Sequence, residues 1–519
     1  MILNFPLEHF VVFVFGFALL FISILFFVCC KTRSSLSFLF LGALLLGYFI
    51  SRLDPFLILW DEQYHALVAK NMITNPFKPM LYKNPILGYD YRDWSNNYIW
   101  LHKQPLFLWQ IAISMKLFGI TEFAVRLPSI LMHAIIPIFI YRIGKISVNE
   151  KTGFYAGLFF AAAYYPLEMA AGKFASDHND AAFVFYVTAS FWAWFEYQST
   201  EKKYWLILIG LFAGCAVLVK WFAGLLVYGA WFFSIMREKK YRTNKSAYFS
   251  FFKSLLISLM IFVPWQLYTL NVYPAESYYE LNYNTKHFTT VVEQHGSDTW
   301  FHFRALTTLY GKGDLVPYLI LLGLVILFIK IKTSVYRIAV FGSIFCVYLF
   351  YTIAKTKMPA FCLIVSPFVF LGLSSLYDGF FHLAYQRIKS KTIAKILNLI
   401  LLITICFFLA DLSEIRHHHT DWKPKDNQSR QADMKEKEII MKLPEILPND
   451  KFVIFNSSIT MNGHIPIMFY TNYIAYDIIP TKEQLDNVHS QGYNSAIFNS
   501  SKLPDYILQD SSITKISVN

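Results

Sequence analysis

Charge is scarce in this chain. Only 15% of its 519 residues are Asp, Glu, Lys or Arg, while 56% are hydrophobic. A soluble protein of this length does not collect its apolar residues into so many long runs bounded by Lys or Arg, so a soluble globular enzyme is excluded and many spanning helices are expected. Cysteine is also sparse. Cys29, Cys30, Cys215, Cys346, Cys362 and Cys406 all lie inside apolar runs, which argues against a disulfide framework and predicts buried thiols. No glycine-rich phosphate loop is present, so no nucleotide cofactor is expected. The first apolar run has neither a basic n-region nor a small-residue cleavage site, so no removable signal peptide is expected. The net charge of +12 sits in short loops between apolar runs. That placement orients a membrane protein and gives no reason to expect a nucleic-acid partner.

What is there reads as an α-helical polytopic membrane protein with about twelve transmembrane helices. The expected spans are 10–30, 35–53, 126–143, 153–170, 181–197, 204–219, 221–236, 249–269, 315–329, 338–353, 359–377 and 394–410. With the loop holding Lys31 and Arg33 assigned to the cytoplasm, alternate loops carry Arg142, Lys145 and Lys151; Lys202 and Lys203; Arg237 to Lys245; Lys330, Lys332 and Arg337; and Arg387, Lys389 and Lys391. One orientation then satisfies the positive-inside bias throughout and puts both termini outside. The apolar run 106–118 would reach only about 20 Å as a helix, against a hydrocarbon core of about 30 Å. Counting it as a span would invert every later loop against its charge. It is expected as an interfacial or re-entrant helix within a large outer loop, 54–125.

Beyond residue 410 the character changes. DLSEIRHHHTDWKPKDNQSRQADMKEKE is polar and lacks an apolar period, as a linker or exposed helix would. Its three histidines, 417–419, are expected to be solvated. KFVIFN, IAYDII and SAIFN then alternate with helical HIPIMFYTN and TKEQLDNVHSQ, which predicts a small α/β domain on the outer side. The expected divisions are an additional N-terminal helix in 1–34, a transmembrane domain 35–410, a polar linker 411–438 and the α/β domain 439–519.

The ionisable residues collect in loops assigned to the outer face. Asp61 and Glu62, in WDEQYHALVAK, stand where a membrane helix should end, and a carboxylate pair there must be hydrated or partnered. Other outer loops hold LHKQPL, GKFASDHND, ESYYELNYNTKHF with EQHGSDTWFHF, and AKTKM; Lys220 lies between two spans. Such a set suits an anionic lipid-linked sugar phosphate. Breaking its C1–O bond develops negative charge on the phosphate, which Lys, Arg or a divalent ion would stabilise, while a carboxylate accepts the proton of the attacking hydroxyl. Each group also has an ordinary structural reading. Asp61 could cap the following helix, Lys103 could snorkel to the interface, Asp177 could cap a helix near Asn179, and His295 and His302 could serve packing. Lys355 and Lys357 are harder to dismiss, because outward positive charge runs against the topology bias, although interfacial lysines also bind lipid headgroups.

WDEQYHALVAKNM, HKQPLFLWQIAISMKLFG, EFAVRLPSILM, GKFASDHNDAAFVFY, GLFAGCAVLVKWFAGLLVY and KTKMPAFCLIVSPF, in that order over roughly 40–380, resemble the polytopic glycosyltransferases of the GT-C fold. The likeness is to the branch of the lipid A aminoarabinose transferases and the protein O-mannosyltransferase-like proteins. It implies an inverting enzyme of the bacterial inner membrane. Such an enzyme takes a sugar from a polyprenyl-phosphate donor on the outer side and places it on a lipid, glycan or protein acceptor; a monomer is expected. It also implies roles. Asp61 matches the first-loop acidic residue and is the general-base candidate, with Glu62 beside it. Lys103 matches a lysine for the donor phosphate. Asp177 matches the acidic residue of the second outer loop and is the second catalytic candidate. Lys355 or Lys357 matches a basic residue before the late proline-containing helix. The chain departs from the pattern at Gln104, where a proline is usual, at His102, where an acidic residue is common, and at Lys173, where Arg is frequent. His295 is carried as a supporting residue. If a divalent metal is used, Glu62 and His102 are its candidate ligands.

Two other classes compete. A lipid-linked glycan transporter or flippase would show ionisable residues deep in helices and internal repeats. A noncatalytic scaffold presenting 411–519 would need neither the outward lysines nor the split acidic motifs.

Overall fold

The computed structural model describes residues 5–174, 177–419, 424–458, 463–499 and 503–517. They form two compact units, each discontinuous in sequence. The helical unit comprises Met1–Ser51 and Ser129–Ile415; the second, a loop–sheet unit, comprises Arg52–Pro128 and Arg416–Asn519.

Eight helices among the described residues are long and apolar enough to cross a membrane: Leu7–Val28, Thr32–Ser51, Glu122–Ser147, Tyr204–Arg237, Lys245–Val272, Ser334–Ile353, Pro359–Leu383 and Lys391–His419. The chain is therefore an α-helical polytopic membrane protein. The remaining expected spans are helical but shorter, broken or more polar. The stretch expected over 153–170 is two helices, Glu150–Ala162 and Tyr164–Ala170, meeting at the extended Ala163. Pro166 cannot donate to residue 162, and its ring would clash with that carbonyl, so one straight helix cannot run through. Asp177–Thr200 carries Asp177, His178, Asp180 and Glu196 and falls outside the apolar set. Tyr204–Arg237 is interrupted by a 3-10 turn, Trp221–Leu225, with Trp221 at φ 56°. This turn packs back on the preceding helix so closely that a Cβ on Gly224 would lie 2.6 Å from the Val217 nitrogen.

Helix packing within this unit follows membrane rules. Gly210 and Gly214, one turn apart, let Tyr204–Lys220 approach Lys245–Val272 until added Cβ atoms would fall 2.7 Å from Ser254 O and 2.9 Å from Ser258 O. Ser258 Oγ donates to Gly210 O at 2.9 Å, and Tyr228 Oη bonds Ser254 Oγ and Ser258 Oγ at 2.9 and 2.8 Å. Small residues and interhelical hydroxyl bonds supply the association that the hydrophobic effect cannot supply in lipid. The six cysteines are free thiols, but they are not all buried as expected: Cys362 and Cys406 are, whereas Cys29 and Cys30 are exposed. Their helix ends at Val28, and Cys30 turns the chain at φ 57°.

The loop–sheet unit is built on four parallel strands, β1 (Phe452–Phe455), β2 (Ile474–Tyr476), β3 (Asn494–Phe498) and β4 (Ile513–Ile516), in the order β2-β1-β3-β4. Three follow the expected segments; β4, in ITKI, was not anticipated. Lys482–Ser490 starts with a capping box between Thr481 and Gln484, as the TKEQ spacing dictates. The core of Val453, Phe455, Val488 and Ile497 also takes in Ile86 and Leu87 from the first long loop. Both backbone N–H groups of that pair donate to Tyr476 Oη, at 3.0 and 3.1 Å. Residues 106–118 form the helix Pro105–Phe118, 14 residues long and hence about 21 Å, packed on Asp61–Met72. The polar stretch expected as a linker or exposed helix forms Leu412–His419 and Pro424–Ile446.

Candidate active site

Six apolar-to-polar residues, Leu53 to Ile58, run without regular structure into the Asp61–Met72 helix. Trp60 adopts φ 71° just before that helix and makes no side-chain cap. A non-glycine residue in the left-handed region is strained and persists only when its surroundings fix it. Asp61 is the first helical residue, not the cap, so its carboxylate is set at the positive end of the helix by the local turn. Its Oδ2 lies 3.6 Å from Lys103 Nζ, both side chains being about four-fifths buried (17% and 19% exposed). Gln104 and Pro105 bring Lys103 there: Gln104 is the extended N-cap of the next helix and Pro105 opens its first turn, where a missing N–H costs nothing.

Glu62 points the other way. Its carboxylate is clamped by the guanidinium of Arg126, Nε to Oε1 at 2.7 Å and Nη2 to Oε2 at 2.8 Å, and Oε2 also accepts from Ile58 N at 2.7 Å. Glu62 and Arg126 are each 1% exposed. His102 is buried with its ring stacked on Trp94, centroids 4.8 Å apart and planes 11° from parallel. The metal expectation at Glu62 and His102 therefore fails a test of fit. Both Glu62 oxygens serve the Arg126 fork and the Ile58 amide, and the described residues offer no cluster of three or more His, Cys, Asp or Glu side chains suited to an ion. His65, one helical turn from Asp61, lies between Trp100 and Phe107. Burial pushes its imidazole down to about 3, with Asp61 the largest opposing influence, so it is neutral at ordinary pH and acts as packing.

The helical unit holds the other expected residues. Asp177 begins its helix, but its side chain lies outside the described residues. Lys173 is half-buried in the preceding turn, its backbone N–H on Glu168 O at 3.0 Å. Two loops separated by more than fifty residues do meet: Lys357 N donates to His295 O at 2.8 Å, and Gly296 pairs with Thr356. The two late lysines differ. Lys357 is 5% exposed and its ammonium donates to the carbonyls of Tyr351 and Thr352, at 2.8 and 2.6 Å, closing the end of Ser334–Ile353. Burial, then the charge of Lys355, lowers its pKa. Lys355 is exposed.

Three residues, Arg126, Asp180 and Asp54, had no role of their own in the sequence reading. Arg126 stands in EFAVRLPSILM, and an arginine in an apolar helix calls for a buried acid; Glu62 is that acid. Asp180 Oδ1 accepts from Lys220 Nζ at 2.6 Å, and that ammonium lies 4.7 Å over the Phe361 ring. The signal was an acid and a lysine at the ends of neighbouring apolar runs. Asp54 binds His419 and Arg430. His419 is thus buried and bonded rather than solvated, because its helix ends against the loop.

The comparisons with known proteins agree with this architecture. A family model described as dolichyl-phosphate-mannose-protein mannosyltransferase matches residues 102–268, a stretch that includes Lys103, Asp177 and Lys220 but not Asp61. An uncharacterized protein of Aquifex aeolicus (strain VF5) is 26% identical over 220 residues, 42% of this chain and 40% of its own length. The undecaprenyl phosphate-alpha-4-amino-4-deoxy-L-arabinose arabinosyl transferase 2 of Proteus mirabilis (strain HI4320) is 26% identical over 346 residues, 62% of this chain and 57% of the relative. The matches thus span about two fifths and somewhat over half of these curated relatives. Among solved structures, ArnT from Cupriavidus metallidurans bound to undecaprenyl phosphate superposes with a TM-score of 0.61 at 12% identity, covering 87% of both chains. The long apolar helices, the small parallel sheet and this superposition together give the chain the fold of the GT-C polytopic membrane glycosyltransferases.

Proposed function

We propose that this protein is a glycosyltransferase that moves a sugar from a polyprenyl-phosphate donor to a lipid, glycan or protein hydroxyl at the outer face of the bacterial inner membrane, with inversion at C1. The observation that carries it is the Asp61–Lys103 pair, a carboxylate and an ammonium 3.6 Å apart, one opening a helix and the other just before the N-cap of the next, in the loop–sheet unit of a polytopic membrane protein. The relatives named for polyprenyl-linked sugar transfer and the ArnT-like fold support it. In the reaction the acceptor oxygen attacks C1, the C1–O bond breaks, and its electron pair leaves on the lipid phosphate. Lys103 faces the phosphate charge and Asp61 takes the acceptor proton. Asp177, which opens the helix Asp177–Thr200, is the second catalytic carboxylate of this reading, with Lys173 in support. A transporter reading is less well supported, since the ionisable pair described sits in a loop unit. A bare scaffold has no use for it.

Lys103→Ala is expected to lower kcat/KM for donor roughly 10- to 100-fold, the range of a lost hydrogen bond to a charged group. Lys103→Arg should keep more activity by keeping the charge. Since Lys357 is engaged with helix-end carbonyls, Lys355→Ala should give the second-largest loss in donor use. Kinetics against donor concentration, with the protein in lipid, check this; unchanged kcat and KM in both alanine variants would reject the two lysines as a donor site.

The topology we infer has twelve crossings, counting Glu150–Ala170 as one and Tyr204–Arg237 as two, with loop 54–125 and residues 439–519 outside. In a cysteine-free background, Asp90→Cys and Ser429→Cys should react with an impermeant maleimide in intact cells, and Lys240→Cys only after permeabilisation. Labelling at 240 with protection at 90 would reverse the orientation.

A further inference from the structure

The segment between the last apolar helix and the sheet reads in sequence as a linker, yet it is built onto the loop that leads to Asp61. All six residues from Leu53 to Ile58 have a backbone group bonded to a side chain. Arg430 Nη2 donates to Leu53 O (2.8 Å), Arg126 Nη1 to Asp54 O (2.7 Å), Lys437 Nζ to Pro55 O (2.7 Å) and Arg126 Nη2 to Phe56 O (2.6 Å). Leu57 N donates to Tyr470 Oη (3.1 Å) and Ile58 N to Glu62 Oε2 (2.7 Å). The Asp54 carboxylate is gripped as well, Oδ2 by His419 Nδ1 at 2.7 Å and Oδ1 by Arg430 Nε at 3.0 Å. Lys437 also pairs with Glu122, which accepts from Tyr470 Oη at 2.7 Å. All these groups belong to one compact unit.

An irregular loop needs a partner for each buried polar backbone group. A general linker would leave that to water. Here four partners, His419, Arg430, Lys437 and Tyr470, come from the C-terminal part of the chain, more than 350 residues away in sequence. Three carry or can carry positive charge and are aimed at carbonyls or at Asp54, where charge-assisted bonds are about twice as strong as neutral ones. The strained Trp60 lies between this fixed loop and Asp61, so the position of the loop sets where the first helical turn begins.

We infer that His419, Arg430 and Lys437, with Tyr470, form a positioning element of the active-site loop: they hold Leu53 to Ile58 so that Asp61 stands at the reacting centre. These are positioning residues, not catalytic ones. The inference rests on the transferase reading for its kinetic consequence but not for its structural one, which keeps the two separable.

The test uses the full-length protein in lipid nanodiscs with Arg430→Ala, Lys437→Met and the conservative Arg430→Lys. Lys442→Ala is the control, on the same helix in an exposed pair with Glu438. Hydrogen exchange of peptides covering 53–62 is measured alongside kcat and donor KM. The expected result is faster exchange over 53–62 in the first two variants. Their kcat should fall roughly ten- to hundredfold, the scale of a misplaced reacting group, with donor KM within about twofold. Arg430→Lys should recover part of both, and the control should match wild type. Unchanged exchange over 53–62 in both variants would overturn the inference, as would faster exchange with wild-type kcat, because the loop would then not set the chemistry. If Arg430→Ala does not fold, Lys437→Met carries the same two readouts. Wild type without turnover of any polyprenyl-phosphate sugar would defeat the transferase reading, and the exchange result alone would then decide whether the segment holds the loop.

Discussion

Asp61→Asn is expected to leave a folded, membrane-inserted protein with donor binding nearly intact and turnover lowered roughly 10²–10⁴-fold, the loss that follows removal of a general base. A helix cap would be the ordinary explanation for an acidic residue here, but the cap position is Trp60, which makes no side-chain cap bond. Its described structural contributions include a first-turn charge at the positive end of the helix, about 0.3–1 kcal/mol, and an ion pair with Lys103 at 3.6 Å. Asparagine is isosteric and keeps the polar contact. Stability should therefore change little while chemistry collapses. Turnover near that of wild type in a properly inserted Asp61→Asn protein would remove the catalytic assignment and leave the charge as a helix-end feature.

Arg126→Met should do the opposite, damaging the fold before the chemistry. The guanidinium holds Glu62 through two bonds and the carbonyls of Asp54 and Phe56 through two more, with both side chains almost wholly buried. Removing one partner of a buried ion pair costs about 3–5 kcal/mol, because the remaining charge keeps its desolvation penalty without its counter-charge. The variant should unfold at markedly lower temperature in detergent. Arg126→Met combined with Glu62→Leu should recover the part of that loss due to the uncompensated Glu62 charge, but not the part due to the lost bonds to Asp54 O, Phe56 O and Ile58 N. Equal melting of Arg126→Met and wild type would show that the pair is not holding the loop.

The helices were legible because their signal is local. Apolar length and flanking Lys and Arg placed the long ones within a few residues, and the positions of β1, β2 and β3 followed from short apolar runs between helical stretches. Where sequence reading fell short, the determinant was, with one exception, not local. The break at Ala163 follows from one proline inside an otherwise apolar run. The reversal after Lys220 depends on Gly224 meeting a backbone seven residues earlier. Of the candidate site, Asp61 and Lys103 were singled out and do lie side by side, about forty residues apart in sequence. Glu62 and His102 were offered as metal ligands, but no sequence pattern says that Glu62 faces Arg126 or that His102 lies flat on Trp94. The histidines 417–419 look like a solvated run; the pairing of His419 with Asp54 spans most of the chain and cannot be read from composition.

The central claim is that the protein breaks the bond between a sugar and a polyprenyl phosphate. It is tested most directly by incubating the purified protein in lipid with polyprenyl-phosphate sugars and a cell-derived acceptor extract, and following both lipids by mass spectrometry. Wild type should convert one donor to bare polyprenyl phosphate, with the matching sugar mass appearing on an acceptor, and Asp61→Asn should not. Recovery of every donor intact with wild type, or equal conversion by Asp61→Asn, would contradict it.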